Sequence, residues 1–240
     1  MKRELLTVKS NRKLNESVFE LVLTGASPMR AGQFAELTAE GFFLRRPISL
    51  ARYEDGEAVF LIRIAGAGTA KMSLLEAGQT VDALTCLGNG FDVSADAPLL
   101  IGGGIGCAPL YQLAREFGAK GVRPVAVLGF RTAAEAYYLD EFAAVADVTV
   151  ATDDGSLGVR GNVLDAVRAA NIRFDRYYAC GPAVMLRALA VGLGNGQLSL
   201  EARMGCGFGA CMGCSIKTVS GFKRVCKEGP VFEASEILWE

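Results

Sequence analysis

Four of the seven cysteines lie in one short segment near the C-terminus, GCGFGACMGCSIKTVSGFKRVC. Their spacing is C-x4-C-x2-C-x11-C, and its first part is typical of plant-type 2Fe-2S centres, in which four thiolates hold two irons. Glycines in the segment let the loop bring backbone N–H groups within hydrogen-bonding distance of sulfur. The spacing therefore predicts a 2Fe-2S cluster on four thiolates, those of Cys206, Cys211, Cys214 and Cys226.

Two other uses of these cysteines are open from the spacing. An all-cysteine zinc site usually combines two C-x2-C units, and this segment contains one. Reduced structural thiols are the second alternative. The three remaining cysteines lie apart from the segment, and Cys86 is interpreted as a small core residue.

The composition excludes several classes of function. The chain has 240 residues, a net charge of -1 and no histidine. A charge near zero gives no electrostatic attraction to nucleic acid, and the lack of histidine removes imidazole bases and mixed cysteine-histidine metal sites. The N-terminus has no apolar signal region, and no apolar run is long enough to span a membrane. We expect a cytoplasmic protein without a nucleic-acid or membrane partner.

The pattern of apolar residues changes along the chain and predicts three parts. Residues 1–96 read as antiparallel strands with one short helix at 69–78, typical of a small β-barrel. Residues 97–199 alternate short apolar runs with helical patterns, including one helix at 133–145, which indicates a doubly wound α/β domain with a parallel sheet. Residues 200–240 form the cysteine-rich segment. The predicted fold class is therefore α/β plus β-barrel.

Two glycine-containing loops follow strands of the predicted parallel sheet. The sequence LLIGGGIGCAP runs from a strand into a helix, where backbone amides can accept a diphosphate. The sequence CGP follows the last strand, at the sheet edge where ligands of open α/β sheets bind. Tight packing at a turn is the alternative for both. The candidate dinucleotide-binding residues are Gly102, Gly103, Gly104, Gly106, Cys180, Gly181 and Pro182.

The barrel half contains two further candidate phosphate sites. In LRRPISL, Arg46 can pair with a phosphate, although a solvated strand edge is the alternative for its Arg-Arg pair. The second candidate is GAGT, before the short helix.

Seven motifs follow one another along the chain: RRPIS, R-x4-GT, CLGNG, GGGIG-x2-P, CGP, E-x-R-M-G-C-G-x-G-A-C and V-C-x2-G-P-V-F. Together they resemble one family. It is the family of electron-transfer subunits of type B dihydroorotate dehydrogenases, within the ferredoxin-NADP reductase superfamily.

The resemblance implies an FAD, a 2Fe-2S cluster on the four clustered cysteines, and NAD as co-substrate. It places FAD on the residues Arg46, Pro47, Ile48, Ser49, Leu61, Ile62, Arg63, Gly68 and Thr69. Two positions depart from the family pattern. Ile62 replaces the usual tyrosine and removes any ring stacking there, and Ala67 stands where glutamate is frequent.

The resemblance also implies the function and the partner. A flavin exchanges two electrons with NAD and single electrons with a cluster, so a chain with all three sites is an electron converter. The implied oxidoreductase subunit passes electrons from the FMN of a dihydroorotate dehydrogenase catalytic subunit to NAD+ in pyrimidine biosynthesis, in a heterotetramer with two copies of each subunit. An apolar contact surface is predicted from Phe208, Met212, Val231, Phe232 and Trp239, unless these side chains pack under the cluster.

Two alternatives remain open from the sequence. One is the FAD and 2Fe-2S subunit of an NADH-dependent ferredoxin-NADP or sulfide reductase, which has the same arrangement of motifs. The other belongs to a different class, a zinc-stabilised nucleotide sensor without catalytic activity. The colour of the purified protein distinguishes the two classes, because a flavin with a 2Fe-2S cluster is brown-yellow and a zinc protein is colourless.

Overall fold

The computed structural model describes residues 1–239. Its N-terminal part is one curved antiparallel sheet with the spatial order β4-β3-β7-β1-β2-β6-β5. The elements are β1 (Lys2–Lys13), β2 (Val18–Thr24), β3 (Phe34–Leu37), β4 (Arg46–Ser49), β5 (Arg52–Glu54), β6 (Glu57–Arg63), α1 (Ala67–Met72) and β7 (Thr80–Leu87). Alternating side chains of these strands, such as Leu21 and Phe60, fill a core inside the curve.

The tightest turn of this sheet is the one that the sequence predicts most directly. The two residues between β5 and β6 are Asp55 and Gly56, with φ of 46° and 83°. Both values lie in the left-handed region, which a two-residue hairpin of this kind requires and which Asp-Gly adopts readily. The predicted hairpin is therefore present.

The second part is a mostly parallel sheet with the spatial order β11-β10-β9-β8-β12-β13-β16 and helices between its strands. The elements are β8 (Pro98–Gly103), α2 (Ala108–Ala119), β9 (Val125–Phe130), α3 (Leu139–Val145), β10 (Asp147–Thr152), β11 (Val159–Arg160), α4 (Val163–Ala169), β12 (Arg176–Cys180), α5 (Ala183–Leu193), β13 (Gly196–Ser199), β14 (Ser215–Thr218), β15 (Gly221–Arg224) and β16 (Val231–Glu233). Short 3-10 turns cover Gly104–Cys107, Ala133–Glu135 and Ala234–Glu236. In the sheet order, later strands lie on both sides of β8, as in a doubly wound fold.

Two helices are shorter than the sequence predicts. The helix predicted at 69–78 is α1, which ends at Met72 and continues only as turns to Gly78. The helix predicted at 133–145 begins at Leu139, because Tyr138 has a left-handed φ of 59°. Both Tyr137 and Tyr138 are buried in an edge-to-face aromatic cluster, so their packing outweighs the local helical pattern.

The C-terminal segment is attached to both other parts. Strand β14 pairs with β15 in a separate hairpin, whereas β16 pairs antiparallel with β13 at the edge of the large sheet. On the barrel side, the side-chain amide of Asn89 donates to the backbone carbonyls of Glu228 and Val231 at 3.1 and 2.7 Å. We propose the division at 96 and 199, of which only the boundary at 199 separates strands of one sheet, β13 and β16. Within residues 1–239, no helix is both long and apolar enough to cross a membrane.

Candidate functional site

A cavity of about 240 Å³ lies where the barrel, the α/β part and the C-terminal segment meet. Most of the residues predicted to bind FAD line it, namely Pro47, Ile48, Ser49, Leu61, Ile62, Arg63 and Thr69. They come from β4, from the end of β6 and from the start of α1. Strands β4 and β6 lie near opposite ends of the sheet order and come into contact because the sheet curves round. The side chain of Ile62 is buried, so this position contributes an apolar wall in place of an aromatic ring.

Arg46 and Gly68 lie next to each other at the side of this cavity. A Cβ added at Gly68 would lie 2.6 Å from Nη2 of Arg46, so the guanidinium packs directly on the glycine backbone. The Arg46 guanidinium also lies over the ring of Phe42 at 4.8 Å and donates to the carbonyl of Leu44. Within residues 1–239 no carboxylate forms an ion pair with Arg46, which leaves its charge available to a phosphate.

The loop before α1 is organised by Thr69. Its hydroxyl accepts the backbone N–H groups of Ala65 and Gly66 at 2.9 and 3.2 Å and donates to the carbonyl of Gly66 at 3.0 Å. One of the amides that the GAGT segment offers to a second phosphate, that of Gly66, is therefore bonded within the protein. The predicted contact at this loop is limited to the remaining groups of the turn.

The other walls of the cavity come from the two remaining parts of the chain. Gly106 and Cys180 of the predicted dinucleotide loops lie opposite the barrel residues. The beginning of the C-terminal segment contributes Leu200, Glu201, Ala202 and Met204. Glu201 and Met204 belong to the quoted motif E-x-R-M-G-C, but none of the four was predicted as a site residue. The feature of the sequence that points to all four residues is their position directly before the first clustered cysteine. One cavity thus joins the predicted flavin, nicotinamide and cluster regions.

A second cavity of about 460 Å³ lies at the carboxyl ends of the parallel strands. Gly103, Gly104 and Pro182 of the predicted loops line it, and Arg63 and Ile105 are common to both cavities. Sequence reasoning missed the polar groups that follow the neighbouring strands, which are Arg131, Glu135, Asp153 and Asn162. The signal for them is their place after β9 and β10, since ligands of open α/β sheets bind at that edge.

The remaining loop residues pack against the protein itself. A Cβ at Gly102 would lie 2.6 Å from Sγ of Cys107, and one at Gly181 would lie 2.6 Å from Cε of Met185. Gly102 lies outside both cavities, so close packing accounts for its glycine. Burial raises the pKa of Cys180 to about 12, mainly by desolvation and further by the charge of Glu201. The thiol at this cavity is therefore neutral near pH 7.

The four clustered cysteines form two pairs. The backbone amide of Cys211 donates to Sγ of Cys206, and that of Cys226 donates to Sγ of Cys214, both at 3.4 Å. Among residues 1–239, no three histidine, cysteine or acidic side chains gather into a group for a single metal ion. Two thiolate pairs are the donor set that a 2Fe-2S cluster takes, with two thiolates on each iron. The four clustered cysteines therefore fit a 2Fe-2S cluster.

Backbone amides already point at the sulfurs. The Sγ of Cys206 accepts from the amides of Ala210 and Cys211 at 3.2 and 3.4 Å, and the Sγ of Cys214 accepts from the amide of Cys226 at 3.4 Å. Burial opposes ionisation of Cys206, but these amide donors bring its pKa down to about 6. Gly207, with φ of 74°, gives the loop the left-handed conformation that this arrangement needs.

Replacing Arg46 by alanine tests the proposed FAD contact. The change removes a charge-assisted phosphate contact of roughly 1.5 to 3 kcal/mol, so flavin affinity is expected to fall about ten- to a hundredfold. Flavin content after gel filtration measures it. Arg45→Ala is the matched control, because Arg45 is paired with Asp82 at 2.7 Å instead. Full FAD retention in Arg46→Ala would place the flavin phosphates elsewhere.

Comparison with known proteins agrees with this geometry. The family profile of the iron-sulfur cluster binding domain of dihydroorotate dehydrogenase B matches residues 201–238. The dihydroorotate dehydrogenase B (NAD(+)) electron transfer subunit of Bacillus caldolyticus is 45% identical, with 98% of each chain covered. The corresponding subunit of Fusobacterium nucleatum is 38% identical, with 99% of each chain covered.

Solved structures share the fold. The structure of NADH-dependent reduced ferredoxin-NADP oxidoreductase matches with a TM-score of 0.90 and 29% identity, over 98% of this chain and 90% of that one. Phthalate dioxygenase reductase matches with a TM-score of 0.65 and 20% identity, over 79% of this chain and 63% of that one. The predicted fold class and family are confirmed. The chain belongs to the family of electron transfer subunits of dihydroorotate dehydrogenase B (NAD(+)).

Proposed function

We propose that this chain is the electron-transfer subunit of a dihydroorotate dehydrogenase that uses NAD+, with a role in pyrimidine biosynthesis. The observation that carries the proposal is the first cavity, which the FAD segments, the dinucleotide loops and the start of the cluster segment line together. Family membership over the full length supports it. The predicted function and its oxidoreductase class are thereby confirmed at the level of the family.

The predicted cofactors, FAD, a 2Fe-2S cluster and NAD, are likewise confirmed by the cluster-domain match and the reductase fold. A flavin supplies the exchange between hydride and single electrons. The chain's own residues hold the groups in place: β4 and β6 line the flavin cavity, and the loops at Gly104 and Pro182 line the dinucleotide cavity. We propose the individual predicted residues as the contacts.

An electron-transfer subunit requires a catalytic partner, and we propose the FMN-containing dihydroorotate dehydrogenase subunit in a heterotetramer. Of the predicted contact surface, Phe208 and Met212 are 44% and 53% exposed beside the exposed Cys211. Val231 and Phe232 belong to β16 and are buried where this strand of the C-terminal segment joins the large sheet, so these two are core residues. Trp239, the fifth predicted residue, is partly buried against the core. We propose Phe208 and Met212 of the cluster loop as the partner contact. A cytoplasmic location is proposed, in keeping with seven free cysteines.

A second candidate is the FAD and cluster subunit of an NADH-dependent reduced ferredoxin-NADP oxidoreductase. The observation in its favour is the TM-score of 0.90 to that structure. The sequence identity is 29% there against 45% for the dihydroorotate dehydrogenase subunit, which favours the first function.

Reconstitution with and without the partner tests the proposed function. The isolated chain, loaded with FAD and cluster, is expected to reduce an artificial acceptor with NADH and to leave dihydroorotate unchanged, since the proposal assigns the oxidation of dihydroorotate to the FMN of the partner. Adding the FMN-bearing subunit is expected to create dihydroorotate-dependent NADH formation, followed at 340 nm. Dihydroorotate oxidation by the chain alone, or NADP-dependent ferredoxin reduction without any dihydroorotate activity in the complex, would contradict the proposal.

A further inference from the structure

A buried carboxyl group without a partner lies in the barrel, outside both cavities. Glu36 of β3 is 1% exposed, and its Oε1 atom has no hydrogen-bond partner. A buried polar atom without a partner costs roughly 1 to 3 kcal/mol, so natural proteins rarely keep one without a reason. Nothing in the flavin or dinucleotide contacts described above uses this side chain.

Glu36 lies directly under the cluster loop. A Cβ added at Gly207 would lie 2.5 Å from both Cγ and Oε1 of Glu36 and 2.8 Å from its Cδ. Gly207 is the neighbour of Cys206, the first of the four predicted cluster ligands. Across the sheet, Glu36 pairs with Pro47 of the FAD segment. The carboxyl therefore lies between the proposed flavin strand and the proposed cluster ligand.

Neither of the two nearby arginines forms an ion pair with Glu36. Arg45 forms an ion pair with Asp82 at 2.7 Å, and Arg46 donates to the carbonyl of Leu44. Within residues 1–239, the Glu36 carboxyl therefore has no counter-charge in contact with it, although its side chain is almost completely buried. A buried carboxyl without an ion pair is stable in its neutral form, and the negative charge of a cluster favours that form further. A neutral carboxyl has one O–H donor.

We propose that Glu36 is a positioning residue for the cluster, whose neutral carboxyl donates its O–H to sulfur on the Cys206 side and so favours the reduced state. The inference rests on the proposed function, because it requires the cluster. Hydrogen bonds to cluster sulfurs stabilise the negative charge that reduction adds, and outer partners of this kind tune the potential. The same contact explains why position 207 has no side chain.

The midpoint potential of the cluster tests this role. In the chain loaded with FAD and cluster, an EPR-monitored redox titration is expected to show Glu36→Leu about tenfold less reduced at a fixed potential. This corresponds to a potential lower by about 59 mV for a one-electron couple. Glu36→Gln keeps an N–H donor of similar size, so its potential is expected to stay near that of the wild type. Glu116→Gln is the control, since that carboxyl accepts from the amide of Ala31 in another part of the chain.

Iron and sulfide content separates a change of potential from a loss of the cluster. An intact cluster with an unchanged potential in Glu36→Leu would overturn the proposal, as would a tenfold shift toward reduction in Glu36→Gln, which is the result for an ionised carboxylate. If Glu36→Leu and Glu36→Met both lose the cluster, its retention in Glu36→Gln supports the polar contact, and its loss there as well overturns it. A wild-type chain without any cluster signal would contradict the proposed function instead.

Discussion

The variant Cys226→Ser is expected to lose the 2Fe-2S cluster and, with it, dihydroorotate-dependent NADH formation in the complex. Cys226 is 2% exposed and its backbone amide donates to Sγ of Cys214 at 3.4 Å, which places it beside a second ligand. A hydroxyl at this position cannot replace a thiolate donor. The loss is expected to exceed the roughly 10- to 100-fold that changes of outer partners cost. Wild-type protein is expected to contain two irons and two labile sulfides per chain, and the measurement is this content together with coupled turnover.

The matched control is Cys86→Ser. Cys86 is partly exposed and its thiol lies 3.4 Å from the carbonyl of Pro28, in the barrel and apart from the other thiols. Iron, sulfide and coupled turnover are expected to stay at wild-type levels. In Cys226→Ser, the reduction of an artificial acceptor by NADH is expected to continue, because it needs FAD alone. Stoichiometric zinc without sulfide, or normal coupled turnover in Cys226→Ser, would refute the assignment.

The variant Gly106→Ala is expected to disrupt the contact between the two dinucleotide loops. Its Cβ would lie 2.5 Å from the carbonyl carbon of Cys180 and 2.6 Å from the amide nitrogen of Gly181. Both are backbone atoms, so one loop has to move. Overpacking of this kind costs about 1 to 3 kcal/mol, and a displacement of 1 Å at a reacting centre costs about a hundredfold in rate.

Thermal unfolding and steady-state kinetics measure the two consequences. The melting temperature of Gly106→Ala is expected to fall by about 2 to 4 °C per kcal/mol for a chain of this size. NADH-dependent acceptor reduction is expected to fall more than flavin content does. Gly118→Ala in α2 is the control, because no atom lies within 4 Å of its added Cβ and alanine favours a helix. Equal NADH activity in the two variants would exclude the tight approach of the loops.

The sequence by itself determined the features that depend on neighbouring residues. An Asp-Gly pair readily adopts the left-handed φ values of a two-residue hairpin turn, so the hairpin at Asp55 and Gly56 could be predicted from these two residues alone. Near-continuous apolar runs predicted β8, β9, β10 and β12, because strands covered on both faces require them. The cysteine spacing also indicated the cluster, because a short loop can wrap two irons only with small residues between its ligands.

Tertiary contacts decided what distant residues share. The aromatic cluster around Tyr137 and Tyr138 shortened α3, because burying the rings stabilises more than extending a helix by one turn. Strand β16 of the C-terminal segment pairs with β13, and this pairing buries Phe232. The sequence alone had suggested that Phe232 is an exposed contact residue. Glu36 reads as an ordinary polar position in a strand, and only the approach of Gly207, far away in the chain, leaves it buried beside the cluster loop. Desolvation and packing depend on residues that meet only when the chain has folded, so no local pattern contains them.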